Sequence, residues 1–174
     1  SPFDAFFCDL RKTPAFKIPE LLGRTTWLVF EKGSFLSLKG RAFVQPKDDL
    51  KKTFEEMVKR LDASICADQF DAVLSLVSAF PIPTSEGPLK KRAFRGFLKR
   101  AKKRLTPGAL FEKRVFERLD DNRVVCMEEW PTEDPSAPFS RWLFFKKTGA
   151  DWKLEMVFLG QGRAAISHNP VDTG

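Results

Sequence analysis

Tyrosine is absent from the 174 residues, and histidine occurs once, as His168. Without a phenol the chain has no tyrosine to act as general acid or oxyanion donor. Its only imidazole lies in a polar stretch beside Ser167, Asn169 and Pro170, without the orienting partner that a catalytic or metal-bound histidine normally has. Cysteine is scarce too: Cys8, Cys66 and Cys126 are odd in number and widely spaced, which fits neither a disulfide framework nor a zinc site and suits a reducing compartment. No apolar run approaches the ~18 residues that a membrane-spanning helix needs. Also missing are a glycine-rich phosphate loop, a serine nucleophile elbow and a cysteine–histidine pairing. No catalytic residue, cofactor site or metal site is expected.

What the chain does have is phenylalanine, 18 of them, with four tryptophans, 43% hydrophobic and 30% charged residues. That is the composition of one globular domain large enough to build a core without staples. Residues 1–46 read as an N-terminal arm and β-hairpin. The arm is broken by Pro2, Pro14 and Pro19 and carries Phe3, Phe6, Phe7, Leu10 and Phe16 as candidate partner-docking residues. The hairpin is expected over 25–44, turning at Glu31-Lys32-Gly33-Ser34. Residues 47–160 read as an α+β domain. A helix over 48–65 repeats Leu50, Phe54, Met57, Val58, Leu61 and Ile65 at helical spacing. A second helix starts at Asp68 as N-cap and ends before Phe80-Pro81. Residues 84–88 read as a loop. A meander of four antiparallel strands follows over 111–159, with Trp152, Leu154, Met156 and Phe158 on one face of its last strand. Residues 161–174 are expected to be a poorly ordered or partner-bound tail.

Residues 89–105, LKKRAFRGFLKRAKKRL, stand apart. One face of this third helix is apolar, through Leu89, Ala93, Phe94, Phe97, Leu98, Ala101 and Leu105. The other carries Lys90, Lys91, Arg92, Arg95, Lys99, Arg100, Lys102, Lys103 and Arg104, nine bases and no acid. The chain's net charge is +7, and without this segment it would be slightly negative. Nine like charges repel one another and call for a compensating acidic partner: RNA phosphate, anionic lipid head groups or an acidic protein surface. Phe94 and Phe97 lie on the apolar face, which favours core packing over base stacking. Elsewhere, Asp68 and Asp71 could form an acid–base pair but read more simply as a cap and a first-turn acid. Asp120-Asp121-Asn122 is turn chemistry. Trp130, Trp142 and Trp152 are candidate pocket-lining residues, with sheet core as the plainer reading.

The order of a long helix, a short one opening at Ala67-Asp68, a third helix and a curved sheet closing in RWLFFKKTGADWKLEMVF resembles the nuclear-transport-factor-2-like superfamily over residues 48–159. The resemblance implies a cone, its sheet curled around three helices, with an apolar pocket at the open end. That superfamily includes enzymes, transport factors, toxin-immunity partners and silent subunits of large assemblies. Its steroid-isomerising and polyketide-cyclising members place Asp, His or Tyr inside the cone, and the absence of tyrosine and the position of His168 depart from that pattern. In its basic surface and preceding arm the chain is similar to the mitochondrial import-motor anchor family and its mitoribosomal relative. The expected function is a non-catalytic accessory or structural subunit of a larger protein assembly, docking through the arm and the basic helix. The alternatives are an RNA-contacting, ribosome-associated factor, and an enzyme or carrier holding a small hydrophobic ligand in the cone. The expected setting is an organelle, mitochondrial matrix or plastid stroma, on the basic pI, the unpaired cysteines and a first residue that is Ser1 rather than Met.

Overall fold

Period-3.6 burial makes the first helix. Phe54, Val58, Leu61 and Ile65 of α1 (Asp48–Cys66) are all buried, while Lys51, Lys52, Lys59 and Arg60 face solvent. The computed structural model describes residues 5–7, 14–21, 23–31, 48–103, 113–130, 132–134 and 137–167. Within these the chain is a mixed α+β fold, with three helices and a mostly antiparallel curved sheet. Phe3, Leu10, Arg104, His168 and the expected second hairpin strand (35–44) lie outside the described residues.

Ahead of α1 come β1 (Ala5–Phe7), β2 (Pro14–Leu21) and β3 (Arg24–Glu31). After it come the short α2 (Phe70–Leu74), the hairpin of β4 (Ile82–Thr84) and β5 (Gly87–Leu89), and α3 (Lys91–Lys102). The meander is β6 (Lys113–Asp120), β7 (Arg123–Trp130), β8 (Phe139–Thr148) and β9 (Asp151–Gln161), and β10 (Arg163–Ser167) follows. The larger sheet has the order β5-β4-β9-β8-β7-β6, and only the β4–β9 pairing is parallel. Its helix side holds one core, in which Phe54, Phe94, Phe97, Phe116 and Phe145 meet.

A second core lies on the opposite face of that sheet. Val125, Trp142, Phe144, Met156 and Phe158 pack there against Ile18, Leu28, Phe30, Ala164 and Ile166 of a smaller sheet, ordered β1-β2-β3-β10. The molecule is therefore layered as helices, sheet, sheet. This corrects the expected arm and tail. Residues read as irregular form β1 and β2, and residues read as a loose end form β10, which pairs with β3 from Arg163↔Glu31 to Ser167↔Trp27. The reason is period-two burial: Thr26, Leu28 and Phe30 of β3 and Ala164 and Ile166 of β10 all face inward. The prolines are compatible with this. Pro14 opens its strand, and Pro19 sits where the β2–β3 register shifts between Ile18 and Leu21. Gly162 (φ 108) carries the chain from one sheet to the other, its N–H donating to Pro138 O at 2.6 Å.

Three local expectations also change. Asp68 is no N-cap: it sits at φ 58 in the turn between α1 and α2, and Gln69 precedes α2 without a side-chain cap bond. Residues 84–88 are not a plain loop but the turn of the β4–β5 hairpin, where Thr84 Oγ1 accepts from Glu86 N (3.0 Å) and donates to Gly87 O (2.8 Å). The face of β9 changes half-way. The β8–β9 register shifts between Phe144 and Phe145, so Trp152, Leu154 and Val157 point at the helices while Met156 and Phe158 point at the second sheet.

Candidate functional site

The apolar stripe of α3 seats it on the sheet, with Phe94, Phe97 and Leu98 buried. Phe94 and Phe97 stack at 5.7 Å and Phe80 meets Phe94 edge-on at 6.0 Å. These rings are therefore unavailable for stacking on bases. The helix has no acid in its first turn and three bases in its last, which favours its C-terminal end electrostatically and leaves its N-terminal end without a compensating charge.

The acids come from neighbouring elements. Arg95 donates to Asp71 of α2, Lys102 to Asp68 at 2.9 Å, and Arg100 to Glu86 of the β4–β5 turn at 2.6 Å. These pairs are exposed, so each adds little stability, on the order of 0–1 kcal/mol. They do neutralise the flanks of the helix. Asp68 and Asp71, considered as an acid–base pair, are instead both engaged by α3. Lys90, Lys91, Arg92, Lys99 and Lys103 are exposed and meet no acid among the described residues. The Lys91 ammonium lies 5.8 Å from the Phe80 ring. Between α2 and α3 runs an open groove of about 690 Å³, bordered by Asp71, Leu74, Ser75, Lys91, Arg92 and Arg95.

The docking-arm residues fall differently. Phe16 is half-buried against its own core, 6.2 Å from Phe30 and 6.3 Å from Phe158. Phe6 and Phe7 lie in β1. The tryptophans do not share a pocket. Trp142 is buried between the two sheets, whereas Trp130 and Trp152 pack on the helix side. Trp152 is edge-on to Phe54 at 5.0 Å. Phenylalanine and aliphatic side chains pack together between helices and sheet, and an enclosed void of about 20 Å³ there is bordered by none of the three tryptophans. That is room for about one water. Among the described residues no helix is long and apolar enough to cross a membrane.

No protein-family model matches this chain, and no curated protein matches it.

Sequence reasoning missed a second cluster, inside the molecule. Arg141 of β8 donates from Nη1 to Asp62 Oδ1 (2.7 Å) and from Nη2 to Asp62 Oδ2 (3.1 Å) on α1. Nη2 also reaches both oxygens of Glu128 on β7 at 3.0 and 2.8 Å. Arg114 of β6 adds a second guanidinium, 3.8 Å from Asp62 and 3.7 Å from Glu128. The Trp130 ring lies 5.6 Å from the Arg141 guanidinium carbon. Two carboxylates are thus balanced by two guanidiniums, as a charge cluster removed from water requires. Burial pushes the Glu128 carboxyl up, and Arg141 and Arg114 pull it part-way back. For Arg141 burial acts downward, but Glu128 and Asp62 more than offset it and hold the guanidinium charged. Cys126 Sγ lies 3.2 Å from Glu128 Oε1, and burial, reinforced by that carboxylate, drives the thiol well above its ordinary range. Cys126 therefore stays a thiol, the weakly nucleophilic form. The cluster's geometry is that of a tie between α1 and three strands. Asp62 is 79 residues from Arg141 in sequence, and only the charge of Arg141 within the buried first part of β8 signals the cluster.

Proposed function

We propose that this protein is a non-catalytic accessory or structural subunit of a larger assembly, in an organellar setting, and that it docks through the exposed face of α3. One observation carries the reading. Arg95, Arg100 and Lys102 are each neutralised from within the fold, while Lys90, Lys91, Arg92, Lys99 and Lys103 are exposed with no acidic partner among the described residues. A monomer with nothing to bind gains nothing from concentrating like charge on one face. The order of a long helix, a short helix and a third helix on one face of a curved sheet also supports membership of the nuclear-transport-factor-2-like superfamily, in its silent-subunit role. With Phe16 turned inward, the docking role rests on α3 rather than on the N-terminal segment.

The test is the native size of the protein in a gentle lysate, with and without RNase. A subunit migrates in a particle far larger than its own 19.9 kDa. Glutamine at Lys90, Lys91, Arg92, Lys99 and Lys103 releases it from that particle. Migration of the unaltered protein as a free 20 kDa species under both conditions overturns the reading.

A further inference from the structure

Three of the five exposed cations that meet no acid, Arg92, Lys99 and Lys103, form a line. At 3.6 residues per turn, Arg92, Gly96, Lys99 and Lys103 fall within roughly 60° of one another on the side away from Phe94, Phe97 and Leu98. The helical rise sets Arg92 and Lys99 roughly 10 Å apart along the axis, and Lys99 and Lys103 roughly 6 Å. Both flanks of this ridge are already neutralised, by Asp71 and Asp68 on one side and Glu86 on the other. Mid-ridge is Gly96. A Cβ built there meets only Arg100 Nη1, at 3.4 Å, so packing does not demand glycine, and glycine is a poor helix-interior residue. What it provides is a gap between two cations where a partner's backbone can come close.

The chemistry of the ridge selects the partner. It offers no apolar or aromatic side chain, whereas protein interfaces are centred on such residues and are depleted in lysine. A membrane-binding helix needs an apolar face at the lipid, and that of α3 is buried. Single-stranded nucleic acid is held by stacking on exposed aromatics, and Phe94 and Phe97 are 0% and 2% exposed. An A-form RNA helix presents a wide, shallow minor groove bordered by phosphates, and it is recognised by shape and backbone rather than by sequence.

We propose that the Arg92–Gly96–Lys99–Lys103 ridge binds double-helical RNA through its phosphate backbone, without reading base sequence. This rests on the reading of α3 as the docking face.

The experiment is fluorescence anisotropy of the full chain with a labelled RNA duplex of 20 base pairs, with the same RNA as a single strand and with the equivalent DNA duplex, at several salt concentrations. The RNA duplex is expected to bind at least fivefold tighter than either of the others, with affinity falling steeply as salt rises. The variant Arg92→Gln/Lys99→Gln/Lys103→Gln loses at least tenfold in affinity, and its salt slope falls by about 2–3. The flank variant Arg95→Gln/Arg100→Gln changes less than twofold. Gly96→Leu weakens binding several-fold with the melting temperature held. Equal binding of all three nucleic acids, or an unaltered ridge variant, overturns the proposal. If the ridge variant leaves an RNase-resistant native particle while the unaltered protein ignores RNA duplex, the RNA inference is lost and the docking reading stands. A protein that is free in the lysate yet binds RNA duplex through the ridge gives the reverse.

Discussion

Arg141 and Asp62 meet fork to fork across 79 residues of sequence, at 2.7 and 3.1 Å, and this contact fixes α1 over the middle of the larger sheet. Glu128 completes the arrangement from the next strand, with its side chain fully buried. Such a cluster tolerates loss of a member poorly, because the remaining charges are left without partners away from water. Arg141→Met is expected to destabilise the protein by about 3–5 kcal/mol in urea or guanidinium unfolding. Arg141→Lys recovers only part of that, because an ammonium cannot present two parallel donors to one carboxylate and still reach the other. A variant Arg141→Met as stable as the original chain would mean that apolar packing alone holds α1 in place.

A carboxylate at the edge of the second core has the opposite character. Glu117 pairs across the strands with Val125, on the face that packs against the smaller sheet. Its Oε2 is buried and has no hydrogen-bond partner among the described residues. Burial raises its pKa above the ordinary 4.5. The folded protein therefore holds this proton more tightly than the unfolded chain does. Glu117 favours folding below the ordinary glutamate range, and that contribution is lost as pH rises through the raised value. At neutral pH its charge is therefore a cost, softened because the side chain is only half-buried. Glu117→Gln is expected to raise the melting temperature at pH 7 by about 1–2 °C, with the difference closing as pH falls below 4.5. A difference independent of pH would trace the effect to packing instead.

How much of this was legible in the sequence depended on range. α1, α3 and the meander rest on local periodicity, and alternation sets Val124 and Cys126 opposite Val125 in β7 and Leu143 and Phe145 opposite Trp142 and Phe144 in β8, as found. The face of β9 was misread because one extra residue near Glu155 shifts the register, and a bulge leaves no mark in an alternating string. The β4–β5 hairpin is hidden because its two strands have three residues each, both hold a proline and one a glycine. β3 is legible as the first strand of the expected hairpin, but its partners are not, because β10 joins it from the far end of the chain and β2 holds two prolines. At the candidate site the nine bases were plain. Their neutralisation by Asp68, Asp71 and Glu86 was not, since those acids sit 34, 24 and 14 residues from their partners.

The packing of one sheet on the other comes down to a close approach at Gly160. Near the end of β9, its missing side chain leaves room for the ring of Phe30 from β3, which is 1% exposed. A Cβ at Gly160 would stand 2.7 Å from Cδ1, 2.8 Å from Cγ and 2.9 Å from Cε1 of that ring. The ring cannot swing clear, because Phe16 lies edge-on to it at 6.2 Å and Leu28 and Ala164 share its core. Gly160→Ala must then push the two sheets apart or force Phe30 off its rotamer, and overpacking of this kind costs about 1–3 kcal/mol. Phe30→Leu alone also destabilises, by leaving a gap. In the double variant the smaller leucine accommodates the new methyl, so the two losses add to less than their sum, by roughly 0.5 kcal/mol or more in a double-mutant cycle. Strict additivity, or a neutral Gly160→Ala, would separate β3 from β9 and return residues 14–31 to the status of an arm free to dock elsewhere.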